Sequence, residues 1–315
     1  MLANSLSLIV LAAAPQRRCE NASDLVPRTF CGYPATIAKT KAARWAAWQA
    51  KLRDEAAQYE NDGRKPKLLM IGDSISEALR GTAIGETESR TAGLQEALKS
   101  SSLAAEFPAP PPLILAISGD ETQHQLWRLN ATFGREFSPS LRADAHLFIN
   151  LLIGTNNIAN VNRHSVEETC DGVLAIARFL LRSNTHARLL LNAMLPRETD
   201  HPRRIVAGQP RPRARPTPQR SALELTRDLI RANELLRTDV IARLEAEFGA
   251  RRVRFVDCGA PFRPHGWRLE DLNAQTYSVD GTLMPDGVHP SLNGSRLMAD
   301  CLGDAFHAFR SRSDF

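Results

Sequence analysis

Five short apolar runs, separated by stretches of helical pattern, limit what this chain can fold into more than any other feature. They are Lys67–Ile71 (KLLMI), Leu113–Ile117 (LILAI), Ala145–Ile153 (AHLFINLLI), Arg188–Leu195 (RLLLNAML) and Val253–Asp257 (VRFVD). Runs of this length without strict alternation read as strands covered on both faces. Between them, apolar residues recur at steps of three and four. Trp45, Trp48, Leu52, Ala56 and Tyr59 place a stripe on a helix from about Thr36 to Tyr59. Thr122–Leu129, Val166–Leu181, Leu223–Phe248 and Leu292–Phe309 read as further helices. Strands that alternate with helices predict an α/β protein, a parallel sheet packed between helical layers.

The rest of the chain reads as one domain over 31–315 with two irregular insertions, near 90–112 and at 201–220. The first contains Leu103–Pro112 (LAAEFPAPPP), and five prolines keep the second out of any helix or central strand. The net charge of +5 hints at nucleic acid, but its distribution removes the hint. Residues 201–220 hold six arginines and no acid, which leaves 34 basic residues against 35 acidic ones elsewhere. That loop has no interleaved aromatics, so its charge would give only salt-sensitive, non-specific contact. With 43% apolar residues the chain can bury a core, yet no apolar run is long enough to span a membrane.

The five cysteines form no CxxC and no Cys/His cluster at zinc spacing. Cys170, Cys258 and Cys301 lie in apolar-patterned segments and read as small buried hydrophobes. Cys19 and Cys31 flank a polar stretch and could be bridged in an oxidising compartment. Residues 1–30 read as a leader, because Leu6–Ala14 (LSLIVLAAA) resembles the apolar stretch of a secretory signal. Entry into the secretory pathway is therefore expected, with the cytoplasm as the alternative.

In an open parallel sheet, functional groups collect beyond the carboxyl ends of the strands. Gly72-Asp73-Ser74-Ile75 follows the first run, Ser118-Gly119-Asp120 the second, and Gly154-Thr155-Asn156-Asn157 the third. Asp286-Gly287-Val288-His289 precedes the last helix. These are the parts of an acyl-transfer site. Ser74, at a strand-to-helix turn, exposes a hydroxyl that becomes nucleophilic once a base takes its proton, and His289 is that base. Asp286, three residues earlier, can hold the imidazole Nδ1. The backbone N–H groups of Ser74 and Gly119 and the Asn156 amide can converge on an oxyanion. Each piece alone has an ordinary structural reading as a cap, a turn or a surface pair. Together, in order and each at a strand end or in the closing loop, they are hard to attribute to chance.

The constellation resembles the SGNH, or GDSL-type, hydrolase family, over roughly Pro66 to Phe309. Gly119–Leu129 (GDETQHQLWRL), Gly154-Thr155-Asn156-Asn157 and Leu195-Pro196-Arg197 are most similar to the platelet-activating-factor acetylhydrolase alpha-subunit subgroup. The resemblance implies a flavodoxin-like three-layer α/β/α sandwich with a five-stranded parallel sheet. It also implies a Ser74–His289–Asp286 triad, ester hydrolysis, and no metal or organic cofactor. The chain departs from that subgroup at Ser118, where glycine is usual, and in both insertions, so the phospholipid substrate and the WD-repeat partner are not carried over. A small-molecule, lipid or glycan acyl ester is the expected substrate. Acyl transfer to another alcohol and a catalytically silent binding domain remain the alternatives. Around the site, Asp73 and Asp120 are expected to bind loop backbone, His124 to be partly exposed, Trp127 to pack in the core, and Arg128 to pair with a carboxylate.

Overall fold

A computed structural model describes residues 35–59, 67–108, 111–159, 164–198, 221–263 and 279–311. The leader, Cys19, Cys31 and the 201–220 loop lie outside the described residues. The five apolar runs form β1 (Lys67–Gly72), β2 (Leu113–Ala116), β3 (Leu147–Leu152), β4 (Arg188–Asn192) and β5 (Val253–Val256). They pair in the order β2-β1-β3-β4-β5, every pair parallel, as the sequence predicts. This is the flavodoxin-like strand order.

Helices cover both faces. In chain order they are α1 (Ala35–Ala57), α2 (Ser74–Ala78), α3 (Leu94–Lys99), α4 (Ser102–Glu106), α5 (Thr122–Leu129) and α6 (Pro139–Ala143). There follow α7 (Thr155–Ala159), α8 (Val166–Ser183), α9 (Ala222–Leu235), α10 (Ile241–Phe248) and α11 (Leu292–Ser311). The predicted helix Leu223–Phe248 is interrupted by one π turn, Leu236–Val240, which separates α9 from α10.

Alternate residues of each strand feed two cores. Leu69 and Ile71 join Ile149, Leu151, Leu189 and Leu191 against the side chains of α1, α5, α8 and α9. Leu68, Met70, Ile114, Phe148 and Leu190 meet α2, α4 and α11 on the other face. Phe148 lies edge-on to Phe107 and Phe306, with ring centroids 5.7 and 5.8 Å away. Each such buried side chain contributes about 1.5–3 kcal/mol over leaving it in water. α1 is tied down by polar bonds as well as by its tryptophans. The Trp45 indole N–H donates to Asp120 at 2.7 Å, and the Gln49 amide donates to the Gly134 carbonyl at 2.8 Å.

Three expectations are corrected. Leu103–Pro112 is not irregular throughout: Ser102–Glu106 is helical, and Leu103 and Phe107 are fully buried. α4 seats directly on α11, where a Cβ at Gly303 would come within 2.3 Å of the Ser102 backbone, so only glycine allows the approach. Cys258 and Cys301 are not separate buried thiols but a disulfide that joins the end of β5 to α11. Their spacing of 43 residues carries no motif; only the fold brings them together. Cys170 is a buried free cysteine, as expected. Finally, His124 is buried and its Nδ1 accepts the Glu121 backbone N–H at 3.0 Å, capping α5.

Candidate active site

The chain leaves β1 toward one edge of the sheet and leaves β3 toward the other. The strand order reverses between their carboxyl ends, the position where such sheets hold ligands. β1 delivers Ser74 to it and β3 delivers Asn156. Asp73 sets the first turn: its Oδ1 accepts the Ile75 N–H at 3.1 Å, so α2 starts at Ser74. This is the backbone role expected of Asp73.

His289, the base expected from the sequence, arrives on the loop before α11. One oxygen of Asp286 accepts the N–H groups of Val288 at 2.9 Å and His289 at 2.7 Å, folding the loop around its own carboxylate. The other oxygen lies 2.7 Å from His289 Nδ1, and His289 Nε2 lies 2.9 Å from Ser74 Oγ. The loop is held to the end of β4 by the Glu198 N–H, which donates to the Gly287 carbonyl at 2.9 Å. Ser74, Asn156 and His289 are all buried.

Gly119 takes φ +82°, a conformation that suits glycine, as it turns the chain out of β2. Among the described residues, neither its N–H nor that of Ser74 has a recorded hydrogen-bond partner. The Asn156 amide reaches across this gap. Its Nδ2 donates to the Asp120 carbonyl at 3.0 Å and to Asp73 Oδ2 at 3.3 Å, and its Oδ1 faces Arg197 Nη1 at 3.5 Å. Asn156 therefore touches the neighbours of both Ser74 and Gly119, and all five residues expected from the sequence gather at the carboxyl edge of the sheet.

The surrounding charges are arranged around burial. Burial pulls the His289 pKa below its ordinary 6.5, outweighing the hydrogen bond that Nδ1–H donates to Asp286; Arg90 and Arg197 push the same way as burial. Burial raises Asp286, but the His289 ring and the His289 and Val288 N–H groups outweigh it and hold it below the usual carboxylate value. Asp73 is pushed up to about 7, chiefly by burial, against the Ile75 N–H and Arg197, with Asp120 adding to the rise.

The Asp120 side chain reaches beyond its own loop to two helices. It accepts from Trp45, and from Arg128 Nη1 at 2.7 Å. Arg128 also makes two bonds to Glu136, at 2.8 and 2.7 Å, and all three charged side chains are fully buried. Arg128 thus pairs with two carboxylates. Trp127 packs against the core beside Trp45.

Two further residues near the site have no role assigned from the sequence. Arg197 is buried against Thr155 and Asn156. Glu77, two residues beyond the quoted Gly72–Ile75 block, is fully buried and bonded to Ser118. Its signal was a lone acid in the apolar stretch Ile75–Leu79 (ISEAL). Among the described residues, no group of three or more His, Cys, Asp or Glu side chains could hold a metal, and no helix is long and apolar enough to cross a membrane.

Comparison with known proteins adds to this geometry. Residues 70–297 match the GDSL-like Lipase/Acylhydrolase family. The alpha1 subunits of rat and mouse platelet-activating factor acetylhydrolase IB are each 25% identical over 138 residues, 44% of this chain and 47% of theirs. The chain thus spans about half the length of the curated relatives it matches. Among solved structures, a Streptococcus pneumonia protein described as a candidate platelet activating factor aligns with TM-score 0.49 and 20% identity, over 87% of this chain and 99% of that one. A carbohydrate acetylesterase from Sinorhizobium meliloti aligns with TM-score 0.45 and 13% identity, over 78% and 99%.

Proposed function

The chain belongs to the GDSL-like lipase/acylhydrolase family, and from that premise we propose that it is a serine esterase removing a small acyl group, acetyl, from an alcohol. The observation that carries this reading is the unbroken line from Ser74 Oγ through His289 to Asp286, with steps of 2.9 and 2.7 Å. In it, His289 takes the Ser74 proton as the oxygen attacks the ester carbonyl, then returns it to the leaving alcohol. Asp286 keeps the proton on Nδ1, so Nε2 is the basic nitrogen. Because burial holds His289 below its ordinary pKa, the imidazole is neutral and ready to accept at pH 7. A water molecule activated by the same nitrogen then frees the acyl-serine.

The oxyanion is received by the Ser74 and Gly119 N–H groups and by Asn156. Of the two Asn156 bonds, the longer one, to Asp73, is the one exchanged for the oxyanion. The bond to the Asp120 carbonyl keeps the amide aimed. The acetyl group is drawn from the acetylhydrolase relatives, and the alcohol is a lipid, a glycan or another small molecule. We further propose an oxidising compartment as its working place, a reading that the Cys258–Cys301 bridge supports.

The test is hydrolysis of p-nitrophenyl acetate, butyrate and octanoate by the intact protein and by Ser74→Ala. Turnover should be fastest on acetate and absent from the variant, and a phosphonate ester should label Ser74 alone by mass spectrometry. Undiminished turnover by Ser74→Ala would remove the mechanism.

A further inference from the structure

We propose that Glu77 is a positioning residue that sets the separation between the two backbone donors of the oxyanion site. It rests on the esterase reading above, in which the Gly119 N–H receives the oxyanion. Glu77 lies three residues after Ser74 on α2 and is fully buried. One of its oxygens accepts both the backbone N–H and the hydroxyl of Ser118, each at 2.6 Å. The other accepts the Gly85 N–H at 2.9 Å and the Thr82 hydroxyl at 3.1 Å. Four donors from two separate loops therefore end on one carboxyl group.

Burying a carboxyl group is expensive, and an apolar residue of similar size commonly packs at lower cost. The rest of α2 and the ends of β1 and β2 already fill this face with Ile75, Leu79, Ile114 and Ala116. What Glu77 supplies instead is a rigid link. Ser118 is the residue immediately before Gly119, and the Gly119 N–H belongs to the peptide unit that begins at the Ser118 carbonyl. Fixing the Ser118 N–H and hydroxyl from the nucleophile's own helix ties that peptide to Ser74. A donor contributes fully only when it lies where the oxyanion forms, and small displacements are costly. Ser118 offers the Glu77 carboxyl group a side-chain donor beside its backbone N–H. Its hydroxyl is the extra donor that serves the link.

Glu77→Gln exchanges one acceptor for a donor facing N–H groups, and Ser118→Ala removes the hydroxyl bond while leaving the backbone bond in place. Both variants, and the pair combined, are assayed on p-nitrophenyl acetate with kcat expressed per active site titrated by a p-nitrophenyl phosphonate. Glu77→Gln should lower kcat by about tenfold to a hundredfold, less than outright removal of a donor, with KM within about twofold. Ser118→Ala should lower kcat severalfold. The double variant should be no slower than Glu77→Gln, because both changes break one shared link. The rate of phosphonylation should fall in step with kcat, since the phosphoryl oxygen occupies the same donors.

A merely structural role would instead reduce the number of titratable sites and leave kcat per site unchanged; that result overturns the proposal, as would strictly additive losses. If Glu77→Gln does not fold, Ser118→Ala decides alone: an unchanged kcat per site overturns the proposal, and a severalfold drop at constant KM upholds it. Ser74→Ala run beside them separates the two ideas. Turnover by that variant would unseat the esterase reading itself. An inert Ser74→Ala beside fully active Glu77 and Ser118 variants would remove only the role of Glu77.

Discussion

Reducing the Cys258–Cys301 disulfide should cost about 4 kcal/mol of stability, and the figure follows from loop length. The bridge joins residues 43 apart in sequence. Closing a loop of that size removes about 13 cal/mol/K of unfolded-chain entropy, or about 4 kcal/mol at 25 °C in the chain-entropy model. The enclosed segment carries Asp286 and His289, so the bridge restrains the loop that supplies the proposed base. The assay is urea unfolding followed by tryptophan fluorescence, on the oxidised protein and on protein reduced with a phosphine and checked for free thiols. With a slope near 3 kcal/mol/M, the midpoint should fall by roughly 1.3 M. Below the reduced midpoint, esterase turnover should persist, because the hydrogen bonds of Asp286 hold the loop turn locally. Coincident midpoints for fully reduced and fully oxidised protein would refute the loop-entropy reasoning. Free thiols at both positions in protein purified without reductant would refute the bridge.

Asn156→Ala should lower kcat on p-nitrophenyl acetate by about a hundred- to a thousandfold, because one oxyanion donor is lost; a change confined to KM would make Asn156 a ground-state contact. The base must be neutral to act, so activity falls as pH drops through the His289 pKa, which burial holds below 6.5. The acid limb of kcat/KM should therefore be centred below pH 6.5 and should move upward in Arg90→Gln, which removes a charge opposing protonation; a limb above 6.5 in the unaltered protein contradicts this. Arg128→Met strands Asp120 and Glu136 as buried carboxylates and should cost about 3–5 kcal/mol in urea unfolding. A loss under 1 kcal/mol would mean that the site is solvated.

The strands were legible because a parallel sheet covered on both faces needs continuous apolar runs, and Lys67–Gly72 and Leu147–Leu152 have them. The convergence of the proposed site residues was legible for a related reason: Ser74, Gly119 and Asn156 sit just past strand ends, where chain order already fixes position in space. Asp286 and His289 are close in sequence and orient each other locally. What escaped depends on contacts between distant segments. The Ser102–Glu106 helix is hidden in a proline-rich stretch, and its reason for forming is the flat surface at Gly303, some 200 residues on. Cys258 and Cys301 look like any buried cysteines until β5 and α11 are placed side by side. His124 and Glu77 are polar residues in short helices, where sequence favours exposure and tertiary packing decides otherwise. Asp120 has the sequence of a turn residue, yet its oxygens are claimed by Trp45 and Arg128 from two different helices.

Ser74 and His289, the proposed nucleophile and base, are 215 residues apart and meet in a hydrogen bond. Contacts of such separation are among the slowest to form, since the intervening chain must already be ordered when they close. Ser74 sits at the first strand end, and its surroundings depend on β1, β2 and β3. His289 waits for α11 to dock on the face that also carries α2, opposite α1. A refolding chain should therefore pass through a state with a built sheet and an inert serine, and recovery of turnover should trail the tryptophan signal of Trp45 and Trp48. Activity in this architecture is a clock for the last docking event, and a stopped-flow comparison of the two signals would read it directly.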